Sequence, residues 1–151
     1  KNHELIFQTA DEITRLYPFT KIYVTIQKDQ LKNQNVTTLG EIPSSEVQSI
    51  MKQRETVLIF PSMKESLGMP LLEALNADVP ILAADLEYAR EICGQNALYF
   101  DPDSSTSLLE AIAQIQCNQP IVKRQADCDI YKDTANHILK TLKSRSVISQ
   151  F

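Results

Sequence analysis

Val57-Leu58-Ile59-Phe60 is a run of four apolar residues with no polar alternation, and it stops at Pro61-Ser62. A strand that is apolar on both sides must be covered on both sides, the situation of a central strand in a parallel sheet. Parallel strands need long crossovers, usually helices, so the flanking sequence has to alternate helical and strand patterns. It does so. Ile6, Ala10, Ile13 and Tyr17 line one face of an opening helix that Pro18 stops. Residues 22–26 form a β-branched strand, and residues 36–39 a weaker one closing at Gly40. Pro43-Ser44-Ser45-Glu46 starts a helix carrying Val47, Ile50 and Met51 inward, with Ser45 and Gln48 at capping-box spacing. Beyond the central strand, Pro70 suits the first position of a helix. Strand patterns follow at 79–83 and 97–100, with a short helix at 87–92 between them. Leu108, Ile112 and Ile115 mark one C-terminal helix, and Ala135, Ile138, Leu139 and Leu142 a second. The polar tail after Lys143 is expected to fray.

This alternation predicts a Rossmann-like α/β domain, three layers (α/β/α) around a parallel sheet, formed by residues 1–151 as a single unit. The pattern opens in a helix, whereas the first strand of a doubly wound sheet is usually central. The expectation is therefore a domain lacking its first strand, with the sheet completed by upstream residues or in another way.

Composition removes several function classes. A net charge of −4 and a pI near 5.2 leave no basic footprint for nucleic acid. No apolar run approaches a membrane span, and nothing resembles a signal peptide. Cys93, Cys117 and Cys128 form no Cys-x-x-Cys pair and are odd in number, which favours reduced thiols in a cytoplasmic protein. His3 and His137 lie near opposite ends of the chain, so no metal site is indicated, and no cofactor is expected.

The informative segment is Pro61-Ser62-Met63-Lys64-Glu65-Ser66-Leu67-Gly68-Met69-Pro70-Leu71-Leu72-Glu73-Ala74. It follows the most buried strand, at the edge where open α/β sheets bind ligands. Gly68 lets a ligand approach the backbone closely, and the helix starting at Pro70 offers free N–H groups and a positive dipole end to a phosphate. Glu65 in the loop and Glu73 in the first helical turn flank that anion site. Carboxylates would repel a phosphate they touched. Each makes sense if it reaches past the phosphate to a diol, which a carboxylate grips with charge-assisted hydrogen bonds. A nucleoside diphosphate sugar carries such diols on both sides of its diphosphate. On spacing alone, two solvated carboxylates stabilised by the dipole, at about 0.3–1 kcal/mol each, would serve as well. Strand, Pro-Ser, glycine and proline together favour the ligand.

The segment resembles the E-x7-E region of the large group 1 retaining glycosyltransferases, enzymes of two Rossmann-like lobes (the GT-B fold). The resemblance rests on Phe60-Pro61-Ser62, Glu65-Ser66-Leu67-Gly68-Met69-Pro70 and Glu73-Ala74-Leu75. It continues through Val79-Pro80-Ile81-Leu82-Ala83, Glu91-Ile92-Cys93-Gly94 and Ala97-Leu98-Tyr99-Phe100-Asp101-Pro102-Asp103. It covers nearly the whole chain as the C-terminal, donor-binding lobe. The resemblance implies that Glu65 is the catalytic residue near the reacting sugar carbon, as nucleophile or beside a front-face attack, and that Glu73 binds the ribose. It implies diphosphate contacts from Lys1 and from the backbone around Leu67 and Gly68, donor contacts at Ser66, and a wall of Met69, Pro70 and Leu71. The partners implied are a nucleotide-sugar donor and a missing N-terminal acceptor lobe, through which any peripheral membrane association would come. Where the family commonly has glycine after the second glutamate's helix, this chain has Asn76-Ala77-Asp78, of which Asn and Asp tolerate a left-handed cap. Arg90 and Arg124 are basic residues that nothing in the sequence places at a phosphate. Asp101 and Asp103 read as turn and N-cap residues, and Cys93 as a packed hydrophobe. The function expected is transfer of a hexosyl unit to a glycan or lipid-linked acceptor, the isolated lobe being inactive. The competing functions are a non-catalytic nucleotide-sugar-binding module and a sugar-nucleotide epimerase of the same architecture.

Overall fold

The computed structural model describes residues 1–53, 55–118 and 146–149. Helix α1 (His3–Leu16) leads into β1 (Lys21–Val24), a short 3-10 turn (Lys28–Gln30) and β2 (Val36–Thr38). Helix α2 (Ser44–Met51), β3 (Thr56–Phe60), α3 (Met69–Asn76), β4 (Ile81–Ala84), α4 (Glu87–Cys93), β5 (Ala97–Phe100) and α5 (Ser105–Asn118) follow, and β6 (Ser146–Ser149) completes the described chain. All strands pair in parallel, in the order β2-β1-β6-β3-β4-β5. The fold is the expected Rossmann-like α/β arrangement.

The continuous apolar run works as its composition requires, since every residue of β3 is buried. Val57 and Ile59 face a core shared with α1 and α5, where Ile6, Ala10, Ile13, Leu108 and Ile112 pack. Leu58 and Phe60 face the opposite core, built with Val47 and Met51 of α2, Leu71 and Ala74 of α3, and Ala89 and Cys93 of α4. The alternation of strand side chains thus divides the domain into three layers. Asn33 ties the loop before β2 onto α1, donating to the Phe7 carbonyl and to Asp11.

Three expectations are corrected. The tail after Lys143 does not simply fray: residues 146–149 form β6, which lies between β1 and β3 at the centre of the sheet. The position between β1 and β3 is thus filled by a strand that comes late in the sequence. The capping box at Ser45 and Gln48 is not formed; α2 starts at Ser44, one residue earlier, with Pro43 at the cap and no side-chain cap bond. The Pro43 carbonyl instead accepts from the Glu46 and Val47 amides. Finally, α3 starts at Met69, so Glu73 falls in its second turn and not its first. The helix predicted around Ala135, Ile138, Leu139 and Leu142 lies outside the described residues, as does Arg124.

Candidate functional site

Chain direction changes at the middle of this sheet. From β1 the chain crosses outward to β2, and from β3 it crosses the other way to β4 and β5. The crossover helices diverge there, and the crevice left at the carboxyl ends of the strands is where open α/β sheets bind ligands. The loop 61–68 leaves β3 at this edge. Asn2, just before α1, reaches the same edge from the other layer, donating to the Pro102 carbonyl at 2.7 Å and lying 4.0 Å from Met63 Sδ. Lys1, which precedes it, is exposed.

Gly68 caps α3 in the left-handed region, with φ 58° and ψ 36°. Its carbonyl accepts from the Leu71 and Leu72 amides, and Pro70 has no N–H. The Ser66 amide donates to Glu65 Oε1 at 3.1 Å. The amides of Leu67, Gly68 and Met69 make no hydrogen bond among the described residues. Three adjacent donors at the positive end of α3 are an anion-binding arrangement. Leu67 and Met69 are 70% and 52% exposed beside them, so the surface next to the amides is apolar.

Glu65 is half-buried in the loop, its carboxylate bonded to the following amide. Glu73, also half-buried, accepts from the Ser44 hydroxyl at 2.7 Å, which links α3 to the first residue of α2. One Glu73 oxygen is thus held while the other remains available to accept. The expected residues Ser66, Leu67, Gly68, Met69, Pro70, Leu71 and Glu73 follow Glu65 along one loop and the helix it feeds. Leu71 is fully buried in the core under α3, so it supports the wall from behind and offers no surface to a ligand.

Two residues went unnoticed in the sequence. Ser44 carried only a helix-start signal. Tyr88 carried none, yet its hydroxyl donates to the Ser62 carbonyl at 2.5 Å and its ring stands edge-on to Phe60, with 6.4 Å between centroids. Burial first, then the Glu65 charge, push the Tyr88 phenol up to about 12, against the opposing effect of the Ser62 bond. Arg90 is bonded to Asp85 at 2.5 and 2.9 Å and lies 4.5 Å from the Tyr99 ring centre. Asp101 forms the expected turn by accepting from the Asp103 amide, but Ser104 and not Asp103 caps α5, accepting from the Ser107 amide. Cys93 is buried, and burial pushes its thiol up, as for a packed hydrophobe. Among the described residues no group of three or more His, Cys, Asp or Glu is placed to hold a metal, and no helix is long and apolar enough to cross a membrane.

A parallel sheet with helices on both faces and a reversal of chain direction at its middle defines a Rossmann-like α/β domain. The family described as "Glycosyl transferases group 1" matches residues 21–133, and the chain belongs to it. O-antigen chain mannosyltransferase RfbU of Salmonella typhimurium is 32% identical over 81 residues, which is 54% of this chain and 23% of that protein. Serotype-specific mannosyltransferase WbdA of Escherichia coli is 30% identical over 71 residues, 47% of this chain and 9% of WbdA. O-antigen chain mannosyltransferase B of Escherichia coli is 28% identical over 76 residues, 50% of this chain and 20% of the relative. The chain spans less than a quarter of the length of these relatives.

Proposed function

We propose that residues 1–151 form the donor-binding, C-terminal lobe of a retaining mannosyltransferase that builds a surface polysaccharide on the cytoplasmic side, with a nucleoside diphosphate mannose as donor. The observation that carries this reading is the run of unengaged amides at Leu67, Gly68 and Met69, with Glu65 before it and Glu73 after it. Membership of the glycosyltransferase family and the mannosyltransferase names of its relatives support the donor class. The amides and the dipole of α3 stabilise the charge that develops on the leaving diphosphate. Lys1 adds a positive charge from the edge of α1. Glu73 accepts from the ribose hydroxyls, steadied by Ser44, while Glu65 reaches the other way to orient the sugar and stabilise positive charge at the reacting carbon. The acceptor is bound by a second lobe, so residues 1–151 alone bind donor and transfer nothing.

Calorimetric titration of the chain with GDP-mannose, UDP-glucose and ADP-glucose tests the reading. GDP-mannose should bind, and Glu73→Ala should weaken it by roughly thirtyfold, the worth of a charge-assisted pair of about 2 kcal/mol. In the complete enzyme Glu65→Ala should lose most turnover. Binding of none of the three sugar nucleotides would overturn the assignment.

A further inference from the structure

We propose that Tyr88 is a positioning residue for this transfer: from α4 it pins the Ser62 carbonyl and so sets where the loop carrying Glu65 stands over the donor sugar. The inference rests on the functional reading above and deepens it.

Loop 61–68 has no regular structure, and Met63, Lys64, Ser66 and Leu67 are exposed along it. Its two ends are nevertheless fixed from one helix. At the first end the Tyr88 hydroxyl donates to the Ser62 carbonyl, and Ser62 is 0% exposed, so without the phenol this carbonyl would lose its partner in a buried setting. At the second end Ile92 packs on Gly68 so closely that a Cβ there would fall 2.4 Å from Ile92 Cδ1. Tyr88 and Ile92 are four residues apart on α4 and share a face. The edge-on contact with Phe60 fixes the Tyr88 ring against the end of β3, so the hydroxyl has a set position from which to donate. Between the two pins, Glu65 accepts from the Ser66 amide, and the Ser62 hydroxyl donates to the Lys64 carbonyl just before it, both bonds being made within the loop itself. The phenol, pushed up to about 12, stays protonated and keeps donating throughout the working pH range.

The two halves of the donor therefore depend on different supports. The nucleotide half rests on Glu73 and the start of α3, which the Tyr88 bond does not touch. The sugar half rests on Glu65, whose placement follows the pinned loop, and a misplacement of about 1 Å can cost on the order of a hundredfold in rate.

Titration of the chain with GDP-mannose and with GDP, for wild type and Tyr88→Phe, separates the possibilities. Tyr88→Phe should bind GDP-mannose about tenfold more weakly, roughly one hydrogen bond to a buried group, with GDP affinity unchanged. Amide hydrogen exchange should accelerate at residues 63–67 and stay unaltered in β4. Equal losses for both ligands would show a general structural role and overturn the proposal, as would no loss for either. If wild type binds GDP-mannose and Tyr88→Phe matches it, only the Tyr88 role fails; if wild type binds no sugar nucleotide, the donor-lobe reading fails and takes this one with it. Should Tyr88→Phe not fold, Tyr88→His keeps an N–H donor on α4 in a shorter side chain that does not reach the Ser62 carbonyl as the phenol does. It must then show the same sugar-selective loss and faster exchange at 63–67, and unchanged values would overturn the proposal.

Discussion

Gly68 carries two demands at one position: a left-handed backbone and close contact with Ile92 Cδ1. Alanine would meet the first at about 1–2 kcal/mol, while the second can be relieved by rotation of the Ile92 side chain. Gly68→Ala should therefore unfold at lower urea, by about that free energy, and should bind GDP-mannose more weakly because the amides shift. His3 supplies a pH dependence. Burial first, then the N-terminal ammonium and Lys1, lower its pKa from 6.5 to about 4. The unfolded chain takes up a proton near 6.5 and the folded chain only near 4, so this contribution to stability is complete above 6.5 and is lost as pH falls towards 4. Thermal melting followed across that window should show a falling midpoint, and His3→Gln should flatten it. At this scale a glycine before a helix, with Glu65 in the loop ahead of it and Glu73 inside the helix, was legible because their spacing along one short segment already states a local geometry. Tyr88 and Ser44 were not. Their partners, the Ser62 carbonyl and the Glu73 carboxylate, are brought to them only by folding.

The end of α3 shows how an element can be specified without its usual residue. The Val79 amide donates to the Ala74 carbonyl and the Asp78 amide to that of Leu75, with Asp78 at φ 52°, which together make the Schellman closure that glycine commonly supplies. Aspartate tolerates the left-handed region but still bears part of its steric cost. Asp78→Gly is therefore expected to raise stability by about 0.5–1 kcal/mol, read as a higher urea midpoint with unchanged slope. The reverse test lies in the strand beneath it. Leu58 is fully buried in the core shared with α2, α3 and α4, and Leu58→Ala should cost about 2–5 kcal/mol by the same measurement. Element types from α1 to α5 were readable because periodicity of 3.6 or unbroken apolar runs report burial directly. Their ends were less so. The strand expected at 79–83 begins at Ile81, because Val79 is taken into the closure of α3. The Ser45 cap failed because Pro43 already starts α2 through its carbonyl.

The whole molecule depends on β6, the strand that joins β2-β1 to β3-β4-β5. It pairs Ser146 with both Lys21 and Thr56, contacts that span most of the sequence. Val147→Pro removes a ladder N–H in the middle of the sheet, and removal of residues 146–149 removes the junction itself. The proline variant should melt markedly earlier, and the shortened chain should lose its single cooperative urea transition. No local signal announced this strand. Val147-Ile148 is too short an apolar stretch to show a period, and the partners that order it lie far away in sequence. Until those four residues dock, β1 and β3 each present a bare row of amides and carbonyls, and on β3 that row belongs to the most apolar segment of the protein. A chain in which β6 is undocked is therefore prone to pair with other copies, and refolding yield should drop steeply with protein concentration. The recovery of soluble protein then becomes a race between intramolecular closure and capture by a neighbouring copy.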